Sequence, residues 1–284
     1  MPKVDSIQPS TFLSPDFAPD KYLLHFLAQG DSWFSIGGFT SNLLMQLTLQ
    51  RSAFAVNFAT PGQVLSLMVD KVREGPFLQV LSGNQASRFH AILLSGGGND
   101  LIEAIGSPPV DAQGRAIPIE RRLLRTAAER GATVGSIDAY VSEPGWATFT
   151  TYLTAQFQAV IDARDAPRSQ SKGVPVIAHE YDFVTPRDAG VGPKGPWLSP
   201  ALQLYEVPTR DWNAVSDLFL GRLSALLHGL ALPNLHIAKT QGSCERAAPG
   251  STGRDHDWAN EIHPIGKGYA KLAKPYAAQI DQVV

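Results

Sequence analysis

Three observations predict an α/β fold with a parallel sheet covered by helices on both faces. Short apolar runs that suit buried strands recur five times, segments of helical spacing separate them, and Gly, Asn or Asp bounds each run. Alternation of this kind produces parallel sheets, and active sites of such sheets gather beyond the carboxyl ends of the strands. At 284 residues the chain is long enough for one domain spanning 1–284, because single cores stop growing near roughly 250–300 residues.

Taken in order, residues 1–22 are broken repeatedly by Pro and Asp, so they read as an extended lead-in without the apolar stretch of a secretion signal. The first strand is expected at 22–28 (YLLHFLA), the second at 53–59 (AFAVNFA), the third at 90–95 (HAILLS), the fourth at 174–180 (VPVIAHE) and the fifth at 234–238 (NLHIA). Helical spacing appears at 41–50, 63–73, 146–163, 211–230 and 266–282. Two stretches escape the pattern, 106–140 after the third strand and 182–210 after the fourth, and both begin on the face where chemistry is expected. They read as candidate lid or insert segments, since long irregular loops in compact domains tend to be functional.

Hydrophobic residues make up 44% and charged residues 18%, which is ordinary globular usage. A net charge of −2, with no cluster of Lys or Arg, leaves no surplus to neutralise phosphates, so nucleic acid is not an expected partner. The one cysteine, Cys244, excludes an internal disulfide and is expected to sit quietly in a loop. The most apolar stretch, LFLGRLSALLHGLALP, is interrupted by Arg222 and His228 and falls short of a membrane span. A soluble, cytoplasmic protein is the expectation.

The first strand leads into Gly30-Asp31-Ser32-Trp33, which places a serine hydroxyl at a sharp strand-to-helix turn. Such a turn exposes the hydroxyl and brings backbone N–H groups near any oxyanion formed on attack; it also suits a simple capping serine. After the second strand, Ala59-Thr60-Pro61-Gly62 opens a helix, and Gly62 offers an N–H that no side chain obstructs. The third strand runs into Ser95-Gly96-Gly97-Gly98-Asn99-Asp100, where glycines let a ligand approach and Asn99 presents an amide donor. A phosphate cradle would need the Gly-Lys-Ser/Thr ending that this loop lacks. Near the end, His263 in Asn260-Glu261-Ile262-His263-Pro264 is the natural general base, with an ordinary pKa near 6.5 that lets it take and return a proton. The other histidines, His25, His90, His179, His228, His236 and His256, are scattered and read as structural. His256 between Asp255 and Asp257 is the grouping that offers a metal some ligands; that alternative predicts loss of activity on chelation.

Joined in this order, the blocks resemble the SGNH hydrolase (GDSL-like lipase/esterase) family across residues 22–282. The matches are a Gly-Asp-Ser turn at Gly30–Ser32, a glycine after the second strand at Gly62, a Gly-x-Asn-Asp turn at Gly97–Asp100, and His263-Pro264. The resemblance implies a three-layer α/β/α sandwich with a flavodoxin-like five-stranded parallel sheet of order 2-1-3-4-5. It also implies esterase, lipase or deacetylase chemistry on a small-molecule, carbohydrate or lipid ester, without cofactor or metal. By that similarity Ser32 is the nucleophile and His263 the base, and the Ser32 N–H, the Gly62 N–H and the Asn99 side chain form the oxyanion hole.

One position departs from the family, because its aspartate three residues before the histidine is Asn260 here. Asn260 Oδ1 can still orient the imidazole but brings no charge; Asp257, Glu261 and a backbone carbonyl are the other groups able to do so. A catalytically silent binding protein of the same fold is the alternative that Asn260 favours. Trp33, Tyr181, Phe183 and Trp197 are the aromatic residues expected to wall a substrate site.

Overall fold

Each expected strand finds its neighbour in one parallel sheet. The computed structural model describes residues 1–35, 41–73, 75–83, 86–131 and 135–284. Its strands are β1 (Val4–Ile7), β2 (Leu24–Gly30), β3 (Ala53–Asn57), β4 (Ala91–Ser95), β5 (Val176–His179) and β6 (Leu235–Ala238), in spatial order β1-β3-β2-β4-β5-β6. Every neighbouring pair is parallel. Counted from β2, this is the expected order 2-1-3-4-5.

The sixth strand corrects the expectation of five. Residues 4–7 are not part of a loose lead-in but pair with β3, Val4 opposite Ala53 through Ile7 opposite Val56. A four-residue edge strand buries one apolar side chain, Val4, and presents polar ones to solvent, so its period-2 signal is faint. The same strand explains a second correction, at 41–50. The helix there covers Leu43–Gln46 alone, capped by Asn42, whose Oδ1 accepts the Met45 N–H at 2.8 Å. Beyond it the chain extends, with Leu47 O accepting from Val4 N at 2.9 Å and Thr48 bridging Lys3.

All residues of β3, β4 and β5 are buried, as expected of strands covered on both faces. The principal covering helices are α1 (Leu65–Arg73), α2 (Gly98–Gly106), α3 (Glu143–Arg164), α4 (Trp212–Gly229) and α5 (Gly266–Val283). α1 packs on α3, and α5 packs on β5, β6 and the Leu43–Gln46 turn of helix. Within 106–140 the chain forms short helical pieces at Ile119–Arg121, Ala127–Arg130 and Ile137–Tyr140, while 132–134 lie outside the described residues. Segment 182–210 holds the helix Ser199–Leu204 and buries Asp182, Val184, Thr185, Arg187 and Ala189. Among the described residues no helix is long and apolar enough to cross a membrane.

The register fixes the site. Gly30 lies opposite Ser95 and Ala28 opposite Asn57, so β2, β3 and β4 end side by side and release their loops from one edge.

Candidate active site

Ser32 stands in a tight turn built on the carboxylate before it. Asp31 is 1% exposed and accepts the Trp33 N–H and the Ser95 hydroxyl, both at 2.9 Å, and the Tyr181 hydroxyl. Its backbone N–H donates to Ser95 O at 3.1 Å, and Phe34 and Ser35 N–H groups return to Asp31 O at 3.2 and 3.0 Å. Asn57, at the end of β3, donates its amide to Phe34 O at 2.9 Å and so ties the turn to the next strand. The helix expected to begin here is absent through residue 35; residues 36–40 lie outside the described residues. The turn is therefore held by side chains from β3, β4 and the segment after β5.

His263 reaches this turn from the segment before α5. Its Nε2 lies 2.8 Å from Ser32 Oγ and its Nδ1 3.0 Å from Asn260 Oδ1. Asn260 Oδ1 also accepts the Ile262 and His263 backbone N–H groups at 3.0 and 2.9 Å, which fixes that atom as the amide oxygen. An oxygen only accepts, so Nδ1 carries the ring proton and the Nε2 lone pair faces the serine hydroxyl. Burial pushes the His263 pKa down to about 4, and no carboxylate counters it. The Trp197 ring packs edge-on against the imidazole at 5.5 Å.

The carboxylates named as alternatives to Asn260 are engaged elsewhere. Asp257 is fully buried and takes the Glu245 N–H at 2.7 Å and the Lys271 ammonium. Glu261 turns away from the imidazole and accepts backbone N–H groups of Arg187, Leu198 and Ser199 at 3.0, 2.8 and 2.9 Å, and of Trp197. Arg187 in turn donates to Asn260 O at 2.8 Å. Glu261 thus ties segment 187–199 to the strand of chain that carries Asn260 and His263. Glu261→Gln keeps the shape but puts an amide donor among four donors, so it is expected to cost about 2–3 kcal/mol. The check is thermal denaturation, in which Tm should drop by several degrees.

The remaining expected residues surround Ser32. Gly62 adopts φ +73°, a left-handed conformation that suits glycine, on the exposed turn after β3. Among the described residues neither the Ser32 nor the Gly62 N–H has an acceptor. Asn99 opens α2 and spends one amide hydrogen on Gln63 O at 3.2 Å, leaving the other without an acceptor among the described residues. Crowding explains Gly96 and Gly98, where a Cβ would run into Leu65 and the Tyr181 ring, whereas Gly97 stands at φ +102°, a left-handed conformation that suits glycine. Ser32 and Asn99 border a narrow apolar cavity, which Gly62 does not line.

Trp33 and Tyr181 line that cavity, whereas Phe183 faces the Arg246 guanidinium instead. His179, read as structural, is fully buried beneath the turn. Its Nδ1 donates to Glu180 O at 2.8 Å and its Nε2 meets Ser95 Oγ at 2.9 Å, and burial lowers its pKa to about 4. Neither this role nor that of Asn57 carries a motif; the signal available was a polar residue ending an apolar strand. Of the grouping named for a metal, His256 lies 3.0 Å from Glu245 and 3.8 Å from Asp255, while Asp257 is turned away to Lys271. Among the described residues no three His, Cys, Asp or Glu side chains are arranged to hold a metal ion. Cys244 is half-buried, and its thiol is pushed up by burial.

No family model matches the chain, and no curated protein matches it in sequence. Among solved structures, the lipase Lip_vut3 from a goat rumen metagenome superposes with a TM-score of 0.51 at 13% identity, over 90% of this chain and 97% of that one. The inhibitor-bound M. smegmatis aryl esterase gives 0.43 at 13% identity, over 92% and 100% of the two chains. A catalytic mutant of Axe2, an acetylxylan esterase from Geobacillus stearothermophilus, gives 0.41 at 12%, over 91% and 94%. The likeness to Lip_vut3 shows that the two chains share a fold, at an identity that carries nothing about substrate.

Proposed function

We propose that the protein is an SGNH-type serine hydrolase that cleaves carboxylic esters through an acyl-enzyme on Ser32. The observation that carries this reading is the Ser32 hydroxyl facing the lone pair of His263 Nε2 at 2.8 Å, with Asn260 behind the ring. Ser32 Oγ attacks the ester carbonyl carbon while its proton passes to His263 Nε2. The negative charge that develops on the carbonyl oxygen meets the Ser32 and Gly62 N–H groups and the free hydrogen of the Asn99 amide. Collapse expels the alcohol, which takes the proton back from His263. Water, deprotonated by His263, then attacks the acyl carbon, releasing the carboxylic acid and restoring Ser32.

The test is covalent labelling by a fluorophosphonate together with turnover of p-nitrophenyl esters from acetate to palmitate. Labelling requires an activated serine; a protein that neither labels nor turns over any ester is the silent binder that Asn260 favours. Asn99→Ala removes a donor that acts on the oxyanion more than on the ground-state ester. It is expected to lower kcat by about 10²–10³ with a smaller change in KM, and steady-state kinetics would show a shift confined to KM if Asn99 merely bound substrate.

A further inference from the structure

Away from the Ser32 and Asn99 donors, the cavity beside Ser32 contains a polar group that has no partner among the described residues. Its walls come from α2 (Leu101, Ile105), α4 (Leu220) and the segment after β5 (Val184, Leu198). Ser216 joins them, one helical turn before Leu220 and therefore on the same face of α4. It is 3% exposed, and its Oγ has no hydrogen-bond partner among the described residues. The usual escape for a serine within a helix, a bond to the carbonyl four residues back, is not made. Apart from Ser32 and Asn99, whose free donors face the reacting carbonyl, the other polar residues at the cavity are occupied. Asp182 accepts from Phe183, Gly242 and Cys244 N–H groups, and Asp31 and Tyr181 hold each other.

A buried hydroxyl without a partner is costly, and it discriminates in favour of a ligand that supplies one. Size narrows the ligand. The cavity measures about 40 Å³, which suits a short group rather than a long chain. We infer that the cavity receives the acyl group of the ester, and that Ser216 selects a short acyl chain bearing a hydroxyl or keto oxygen. The inference rests on Ser32 being the nucleophile, since that residue places the acyl carbon at the cavity mouth. A purely apolar acyl group fits the walls but strands the Ser216 hydroxyl; an acyl oxygen takes its hydrogen bond.

The experiment compares p-nitrophenyl butyrate with p-nitrophenyl 2-hydroxybutyrate, 3-hydroxybutyrate and 3-oxobutyrate, in wild type and Ser216→Ala. The expected result is a kcat/KM for at least one oxygenated ester roughly 10–100-fold above that for butyrate, abolished in Ser216→Ala. A separate readout is the Tm of the free protein, which should rise in Ser216→Ala because an unpaired hydroxyl is removed. Equal rates for butyrate and the oxygenated esters in wild type, or a preference that survives Ser216→Ala, overturns the inference and leaves the nucleophile intact. Absence of turnover together with absence of fluorophosphonate labelling instead overturns the reading of Ser32, and the inference falls with it.

Discussion

Purified Ser32→Ala protein is expected to lose ester hydrolysis by a factor on the order of 10⁶ and to lose fluorophosphonate labelling entirely. The size follows from what the hydroxyl does. Without it no acyl-enzyme forms, and what remains is whatever the oxyanion donors lend to attack by water. The fold should not suffer. Ser32 is half-buried, its hydroxyl bonds His263, and the turn is held by Asp31, Asn57 and Ser95 rather than by Ser32 itself. A change in stability below about 1 kcal/mol is expected, read as a Tm close to that of wild type. Turnover at the wild-type rate in a variant with wild-type Tm would sink the assignment of the nucleophile.

The second large effect is a gain. Asn260 Oδ1 collects three N–H donors, one of them the His263 ring, but carries no charge to stabilise the imidazolium that forms as Ser32 attacks. Asn260→Asp places an anion where those donors already point. In another serine triad the opposite substitution costs about 10⁴, so kcat/KM at neutral pH is expected to rise, by up to about 10⁴. The pH profile gives the sign independently. A general base works when neutral, so activity falls as pH drops through its pKa. In wild type that acid limb lies near the His263 value of about 4; an adjacent carboxylate favours the charged ring and moves the limb upward. Initial rates between pH 4 and 8 decide the matter. Coincident profiles for wild type and Asn260→Asp would mean that the side chain at 260 does not orient the base.

What the sequence disclosed follows the range of each interaction. Ser32, Asn99 and His263 follow or precede regular elements at fixed offsets, so their order along the chain places them at one edge of the sheet. Asn260 was legible because it sits three residues before His263, within one turn of chain. Asp257 and Glu261 are as close in sequence, yet they bond Lys271 and the backbone of 187–199, partners chosen by packing between distant segments. The same limit hid Asn57 and His179, whose partners Phe34 and Ser95 lie 23 and 84 residues away. Ser216 is the extreme case, an ordinary helical serine until the three-dimensional cavity shows that nothing answers its hydroxyl. The edge strand Val4–Ile7 was missed for another reason: half of its four residues are polar and only one side chain is buried.

The burial that keeps His179 and His263 uncharged also sets a boundary outside the active site. In the unfolded chain each takes up a proton near pH 6.5, whereas in the folded protein each waits until about pH 4. Between those values the unfolded chain binds protons that the folded one refuses. The cohesion that the two rings lend is therefore complete above about pH 6.5 and drains away as pH falls toward 4. Asp31 leans the other way. Its pKa, raised to about 6 by burial, lends cohesion at low pH that fades as pH climbs through that value, enough to offset one ring but not both. Acid then loosens the scaffold while the base at its centre is still able to accept a proton.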